Sequence, residues 1–486
     1  MKKLTDILKG LDYTCLQAAD DFTVSGICFD SRKVSRGDLF IAVKGTVSDG
    51  HKFIDDAVRL GAVAVICESL PENASPAVCW IKVKDSAYAL GVCASNFFEN
   101  PSDQIRLVGV TGTNGKTTTA SLLYSLFTAL GYKAGLISTV ANYIAGKEIK
   151  ATHTTPDPVQ INMLLREMSD AGCEFAFMEV SSHAVDQKRI AGLDFTMGIF
   201  TNISHDHLDY HGTFDNYLKA KKDFFDNLPP GSFALVNADD RNASYMLQNC
   251  KAKKYDYSLK TMADYTCRIL EHRFEGMSIK FGNEEVWTGF IGGFNAYNLL
   301  AVASAADLLG QDRLEVLTNI SALKNVPGRF ELIRSSMGVT GIVDYAHTPD
   351  ALDNVLESIN KIRKAGNRLI TVIGAGGDRD KSKRASMARI SAEKSDRVIL
   401  TSDNPRSEDP DSIIDDMMKG VPPAAQANVL KITDRRQAIR TASMIAGEND
   451  IILVAGKGHE TYQEVMGRKH HFDDREELRK VLMSAN

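Results

Sequence analysis

At 486 residues the chain is too long for one hydrophobic core and predicts about three domains, and its 44% hydrophobic and 24% charged residues are globular proportions. A net charge of −5 argues against nucleic acid or an anionic membrane surface as partner, and no apolar stretch approaches a membrane span. Met1-Lys2-Lys3 leads into an amphipathic stretch, not a signal-peptide core, and the eight cysteines form no C-x-x-C pair and end at Cys267, which suits reduced thiols in a cytoplasmic protein.

Short strands and helices alternate from the start. GICFDSRKV (26–34) and GDLFIAVKG (37–45) read as strands, HKFIDDAVRLG (51–61) as a helix, and AVAVICE (62–68) and CWIKVKD (79–85) as further strands. Asn100-Pro101-Ser102 is a breaker. Beyond it come repeated strand-then-helix units: RLVGVTG, KAGLIST, EFAFMEVSS, TMGIFTNIS and FALVNADD. Such near-continuous apolar runs predict buried parallel strands with polar groups at their carboxyl ends. After the break at Val326-Pro327-Gly328-Arg329, four more runs open into polar loops: TGIVDYAHTP, RLITVIGAGGDRD, RVILTSDNPR and DIILVAGKGHE. Loops of that kind from one sheet converge on one rim, where open α/β folds hold ligands. The expectation is an α/β protein of three domains: a small α/β domain over 1–100, a central parallel-sheet domain over 101–328 and a Rossmann-like α/β domain over 329–486.

Chemistry concentrates first in Ile105 to Thr118, IRLVGVTGTNGKTT, where an apolar strand enters Gly112-Thr113-Asn114-Gly115-Lys116-Thr117-Thr118 and a helix follows. Glycines let backbone N–H groups curl around phosphate, the helix N-terminus adds positive potential, the lysine reaches the outer phosphates and the following hydroxyl can ligate Mg²⁺. Val110 stands where the longer G-x-x-x-x-G-K-[ST] pattern has its first glycine. The order of strand, loop and helix points to a nucleoside triphosphate. Glu179 in MEVSSH and His207 in TNISHDHLDYHGT each follow a strand and together can share a divalent ion, although each alone also reads as a cap partner or a loop histidine. In FDNYLKAKKDFFDNL, helical spacing puts Lys221 at the centre of the stripe formed by Phe214, Tyr217, Leu218, Phe224, Phe225 and Leu228, with Lys222 at its border and Lys219 facing away. A lysine there needs a partner or a chemical change. Asn295 and Asn298 in GGFNAYN could read a purine edge or cap the next helix, and Asp344, near His347, could accept from ribose or cap a helix. Arg379 in GGDRDKSKR and Arg406 in SDNPRSED are expected on one rim, where two guanidiniums suit a ligand with several carboxylates.

In this order, GTNGKTT, MEVSSH, TNISHDHLDYHGT, GGFNAYN, DYAHTP, GGDRDK, DNPR and GKGHE resemble the Mur ligase family, the ATP-dependent amide-bond enzymes of peptidoglycan synthesis, and within it the MurE branch. The resemblance spans essentially the whole chain. It implies an ADP-forming ligase, monomeric, using ATP and Mg²⁺, whose partners are small molecules: meso-diaminopimelate is joined to the D-glutamate γ-carboxylate of UDP-N-acetylmuramoyl-L-alanyl-D-glutamate through an acyl phosphate. It places Gly112 to Thr118, with Asn295, Asn298 and Asp344, on ATP, and makes Lys116, Glu179, His207 and Lys221 catalytic. Thr117, Glu179, His207 and a carbamylated Lys221 become the metal ligands. Ser31, Thr46, Val47, Ser48, Thr154, Thr155, Ser181, Gln187 and Arg189 would contact the UDP-linked substrate, and Arg379, Asp403, Asn404, Pro405, Arg406, Gly456 and Glu460 the diaminopimelate. Ala375, Ser382 and His153 depart from the family's usual cysteine, glycine and asparagine.

Other readings are the same ligase adding L-lysine or another diamino acid, a folylpolyglutamate synthase-like ligase, and a nucleotide-dependent switch without ligase activity. The switch leaves Lys221, Arg379 and Arg406 without a role.

Overall fold

Apolar runs with no polar face can be buried only between two layers of helix, and the longest sheet of the protein is built that way. A computed structural model describes residues 1–483 except 17, 18, 20, 21, 46, 47, 73, 152, 336 and 337. The central sheet has eleven strands. Its parallel middle runs, in spatial order, through Ala134–Ile137, Phe175–Glu179, Arg106–Thr111, Met197–Phe200, Phe233–Asn237 and Lys253–Ser258. Along Arg106–Thr111 alternate side chains enter opposite layers: Val108 and Val110 pack with Leu122, Leu123 and Phe127, while Leu107 packs with Leu165 and Phe224. Each of these, fully buried, contributes about 1.5–3 kcal/mol.

The five predicted strand-then-helix units all lie in this sheet, and two additions flank them. The hairpin Asn142–Ile144/Lys147–Ile149 extends one edge, and Tyr265–Arg273, Gly276–Phe281 and Glu284–Thr288 extend the other as a meander. Register decides what the strand ends bring together. Glu179 pairs with Val110, and Phe200 with Thr111, so the strand leading into Gly112 lies between the strand ending in Glu179 and the one leading to His207.

The four C-terminal runs also share one sheet, in the order Glu331–Arg334, Thr340–Asp344, Ile451–Ala455, Leu369–Ile373, Arg397–Leu400, Val429–Lys431. All neighbours are parallel except the first pair, so Asp344, Ala455, Ile373 and Leu400 end on one side. Behind that rim Arg435 and Asp474 form a bidentate pair with both side chains 0% exposed, Nε and Nη2 each 2.7 Å from a carboxylate oxygen. Asp474→Ala strands the guanidinium in the interior and is expected to cost about 3–5 kcal/mol, read as a lower denaturant midpoint. An apolar replacement of both partners should recover most of that loss.

The N-terminal sheet is ordered Tyr13–Cys15, Cys79–Val83, Ala64–Cys67, Leu39–Ile41, Ile27–Cys28. Here one expectation is corrected: of GICFDSRKV only Ile27–Cys28 pairs as a strand. The chain turns because the Asp30 carboxylate accepts the N–H of Arg32 at 3.2 Å and starts the 3-10 turn Ser31–Lys33. No helix among the described residues is long and apolar enough to cross a membrane.

Candidate active site

The loop after Arg106–Thr111 has the shape its glycines require. Gly112 has φ +151°, and a Cβ there would lie 1.9 Å from the Thr201 hydroxyl oxygen; Gly115, at φ +87°, starts helix Lys116–Ala129. Val110 lies in the strand and is fully buried, a packing position and not part of the cradle. Gly112→Ala is expected to abolish nucleotide binding and to destabilise the fold by about 1–3 kcal/mol, measured by titration and thermal melting. Wild-type affinity in that variant would contradict the cradle.

Two lysines converge on one carbonyl. The Gly112 oxygen accepts from Lys116 Nζ at 2.9 Å and from Lys221 Nζ at 2.7 Å. Lys221 is buried on helix Phe214–Asp226 in the middle of its apolar stripe, with Nζ 4.7 Å from the Tyr217 ring centroid. Lys222, also buried, is matched by Asp226 at 2.6 Å, whereas Lys219 is exposed. Burial pushes both Lys116 and Lys221 below the usual lysine range, and for Lys221 the neighbouring Lys116 adds to the effect. Two amines, one from the helix start at Lys116 and one from helix Phe214–Asp226, thus meet at the glycine loop where an anion would sit.

Glu179 faces the same loop. Its carboxylate, 1% exposed, accepts from the Thr117 hydroxyl at 2.9 Å and from the Thr139 N–H at 2.6 Å. His207 opens the short helix Leu208–His211 in a left-handed conformation, φ +54°, with Nε2 3.5 Å from Asp206. Its partly buried position, with Lys116 and Lys221 nearby, holds the His207 imidazole below the usual histidine range against the pull of Asp206. Its imidazole is therefore neutral at physiological pH and keeps a lone pair for a ligand. The hydroxyl, the carboxylate and a neutral imidazole are a donor set that a hard divalent cation accepts. Among the described residues no three His, Cys, Asp or Glu side chains come together as a metal site by themselves.

Next to Glu179 lies a connected polar network. The Thr155 hydroxyl donates to the Glu179 carbonyl oxygen at 2.8 Å and lies 3.3 Å from Ser181 Oγ; Arg189 donates to the Thr155 carbonyl at 2.7 Å and grips Gln187 Oε1 with Nε at 3.0 Å and Nη2 at 2.6 Å. Thr154 joins through Thr139 at 3.0 Å. Ser31 begins the turn Ser31–Lys33 of the N-terminal sheet, and Ser48, exposed, closes a turn onto the Gly45 N–H at 3.0 Å. Thr46 and Val47 lie outside the described residues.

The alternatives left for three residues are resolved against capping. Asn295 donates to the Ile291 carbonyl at 2.8 Å and Asn298 to Asn295 at 3.1 Å, while the helix they lie on, Gly293–Leu308, starts at Gly292 with no side-chain cap. Asn298 instead abuts the phosphate loop, 2.7 Å from where a Gly115 Cβ would be. Both carboxylate oxygens of Asp344 accept backbone N–H bonds, from Phe330 at 2.7 Å and Ala346 at 2.8 Å, and Thr348 caps helix Pro349–Ile362.

The two arginines do share a rim. Arg406 Nη1 donates to the Gly377 carbonyl at 2.6 Å, and a Cβ on Gly376 would lie 3.1 Å from that nitrogen and 3.7 Å from Arg379 Cγ. Pro405 packs its carbonyl where a Gly377 side chain would be, 1.9 Å from the ideal Cβ. Across the rim, Gly456, φ +116°, leaves room for the Asp403 carboxylate, 2.8 Å from the position of its missing Cβ. Asn404 links Glu460, at 2.8 Å, to the fully buried Lys457, at 3.0 Å. Burial opposes the charge on Asp403, but Lys457 and Arg435 hold its carboxyl below the usual range.

Three domain descriptions match successive parts of the chain: the Mur ligase family catalytic domain at residues 23–98, the Mur ligase middle domain at 110–306 and the Mur ligase glutamate ligase domain at 328–458. A UDP-N-acetylmuramoyl-L-alanyl-D-glutamate–2,6-diaminopimelate ligase of Parabacteroides distasonis is 55% identical over 480 residues, 99% of either chain. The chain belongs to the Mur ligase family. A ligase of the same name from Bacteroides fragilis is 54% identical over 480 residues, again 99% of either chain. A solved structure of a UDP-N-acetylmuramoyl-L-alanyl-D-glutamate–2,6-diaminopimelate ligase matches with a TM-score of 0.70 at 33% identity, covering 99% of both chains.

Sequence reasoning overlooked two side chains that this Mur ligase brings to the site. Arg329 reads only as the end of a Pro-Gly break, yet its Nη2 donates to the Thr117 hydroxyl at 3.1 Å and its guanidinium lies 4.3 Å from the Tyr345 ring centroid. Its Nε is buried and has no hydrogen-bond partner among the described residues. Lys457 in GKGHE carried a local signal, a lysine between two glycines with Glu460 three residues on and 3.0 Å away, but nothing local shows its complete burial or its bond to Asn404 at 3.0 Å.

Proposed function

We propose that this Mur ligase uses ATP to join meso-diaminopimelate to the γ-carboxylate of UDP-N-acetylmuramoyl-L-alanyl-D-glutamate, a step of peptidoglycan precursor synthesis. The observation that carries the reading is the Arg329–Thr117 contact, which joins the phosphate loop to the segment that leads into the arginine-bearing sheet. In this reading residues 1–100 hold the uridine nucleotide through Ser31, Thr46, Val47 and Ser48, residues 101–328 bind ATP, and residues 329–486 bind the amino acid.

The substrate γ-carboxylate attacks the γ-phosphorus of ATP; the bond to the β-phosphate oxygen breaks and ADP leaves. The diaminopimelate amine then attacks the acyl carbon, and phosphate and a proton depart. Such transfers need positioning and charge neutralisation more than covalent help from the protein. Lys116 and the N–H groups of the loop hold the phosphates, and Arg329 reaches the same place from the other side. Thr154, Thr155, Ser181, Gln187 and Arg189 orient the carboxylate beside Glu179. Thr117, Glu179, His207 and a carbamate on Lys221 would hold Mg²⁺, which supplies further neutralisation of phosphate charge. Asn295, Asn298 and Asp344 line the nucleotide side. Arg379 and Arg406 favour an amino acid with an extra carboxylate, with Asp403 and Glu460 available to its ammonium groups.

The test measures ATP hydrolysis with the UDP-dipeptide and the amino acid supplied singly and together, with mass analysis of product when diaminopimelate and L-lysine compete. Turnover that requires both substrates and yields mainly the diaminopimelate product is expected. A lysine product would transfer the reading to the lysine-adding reaction, and turnover indifferent to both substrates would refute it. The full-length likeness at 55% identity to a ligase named for diaminopimelate supports this over a folylpolyglutamate synthase-like reaction.

A further inference from the structure

The phosphate loop touches C-terminal residues at both of its ends. At the helix end the contact is Arg329 on Thr117, already described. At the tip, the Asn114 side-chain amide donates to Asp350 Oδ2 at 2.8 Å, and the same oxygen accepts from the Ser204 hydroxyl at 3.2 Å. Asp350 comes from the first turn of helix Pro349–Ile362, whose cap is already made by the Thr348 hydroxyl on the Ala351 N–H at 3.3 Å, so the carboxylate is not needed to start its own helix. The main chain of Asn114 is held independently: its N–H donates to Asn202 Oδ1 at 3.0 Å, and its carbonyl accepts from the Thr201 hydroxyl at 2.6 Å and Asn202 Nδ2 at 3.0 Å. The Asn114 side chain is therefore not required to shape the loop and is directed across the junction. Ile291, Phe274 and Phe294 pack on the C-terminal core near the chain crossing, whereas at the phosphate loop the junction is held by polar bonds, and single bonds of this sort bias movement of one part against the other.

We propose that Asp350 is a positioning residue, a latch that holds the C-terminal part closed on the tip of the phosphate loop and so brings Arg329 and the arginine rim up to bound phosphate. The inference rests on the reading that the loop binds ATP. It says that part of the apparent nucleotide affinity is stored in a bond that touches no nucleotide atom: opening the latch lowers the fraction of closed molecules and weakens binding by that fraction.

The test uses the full chain as Asn114→Ala, Asp350→Ala, Asp350→Asn and the Asn114→Ala/Asp350→Ala pair, with ATP titrated calorimetrically, KM and kcat measured, and the radius of gyration obtained by small-angle scattering. Asp350→Ala should weaken ATP about fivefold, through loss of the two bonds its carboxylate accepts at a partly open junction, with kcat nearly unchanged and a larger radius of gyration. Asp350→Asn, whose oxygen can accept the same two bonds, should stay within about twofold of wild type, and the double variant should be no weaker than Asp350→Ala alone. Additive losses in the double variant, unchanged affinity in Asp350→Ala, or equal damage from Asp350→Asn would each overturn the latch. A wild-type protein that fails to bind ATP would instead remove the nucleotide reading on which it rests.

Discussion

Lys221→Ala is expected to lower ligase turnover about a thousandfold or more while leaving the protein folded. The lysine is 1% exposed, donates only to the Gly112 carbonyl among the described residues, and has Lys116 on the same oxygen. A bare ammonium there is costly, so its retention in the middle of an apolar stripe asks for a chemical reason. Burial keeps its amine below the ordinary lysine range, which raises the neutral fraction able to add CO₂; the new N–C bond gives an anionic carbamate and releases a proton. On the proposed reading, loss of an anion able to hold a metal would remove several kcal/mol of charge stabilisation from phosphoryl transfer, hence the size of the expected effect. Short-chain carboxylates should restore part of the activity in Lys221→Ala, and exhaustive removal of CO₂ should depress the wild type until bicarbonate is returned. A fully active variant would refute the role.

Stability on replacing the same lysine by an apolar residue of similar length provides an independent check. Buried Lys221 and half-buried Lys116 have folded pKa values below the 10.5 of the free side chain, so in the window between the two values the unfolded chain binds more protons. Stability from these groups therefore rises with pH through that window and is diminished below it. Lys221→Met should accordingly be as stable as wild type or more so near neutral pH, and should show a weaker pH dependence of the denaturant midpoint. A large loss of stability in Lys221→Met would mean that the lysine is structural.

Arg406→Ala is expected to weaken use of diaminopimelate by roughly thirty- to a hundredfold, about 2–3 kcal/mol, with KM for ATP unchanged. The estimate sits below that of a fully buried pair because the side chain is 22% exposed. Its Nη1 is anchored on the Gly377 carbonyl, and Glu464 lies 3.8 Å from Nε, so the guanidinium is oriented before any ligand arrives. Pre-orientation of a planar fork is what lysine cannot supply, and Arg406→Lys should recover little. The Arg406 backbone is left-handed, φ +53°, and is tied by its N–H to the Glu464 carbonyl at 3.0 Å. Arg406→Gly therefore relieves backbone strain while deleting the guanidinium, and equal loss in it and in Arg406→Ala would assign the effect to the side chain. Parallel loss of ATP affinity would point to a collapsed rim instead.

Much of this site is visible in local spacing, and the limits of that visibility are equally specific. The helical stripe around Lys221 and the strand-loop-helix order at Gly112 need only neighbouring residues, because helix periodicity and glycine backbone freedom act over one or two turns. The strand reading of 26–34 failed for a local reason as well: β-favouring Ile27 and Cys28 are followed by an Asp30 side chain that captures the N–H of Arg32 and turns the chain. The hairpin at 142–149 escaped because three-residue edge strands carry too little apolar signal, and the meander at 265–288 because its strands interleave polar with apolar residues instead of forming continuous apolar runs.

Composition, motifs and periodicity were enough to establish the α/β class, the phosphate loop, the buried lysine and the pair of arginines. Which strand ends lie side by side was decided only in three dimensions: Glu179 against Val110, Phe200 against Thr111, two lysines on one carbonyl, Arg329 on Thr117 and Asp350 on Asn114. The last pair is separated by 236 residues, and no local propensity encodes such a contact. Sheet order and the docking of one sheet's loops on another create it, since those are set by burial of whole apolar faces and by the hydrogen bonds left to satisfy at the strand ends.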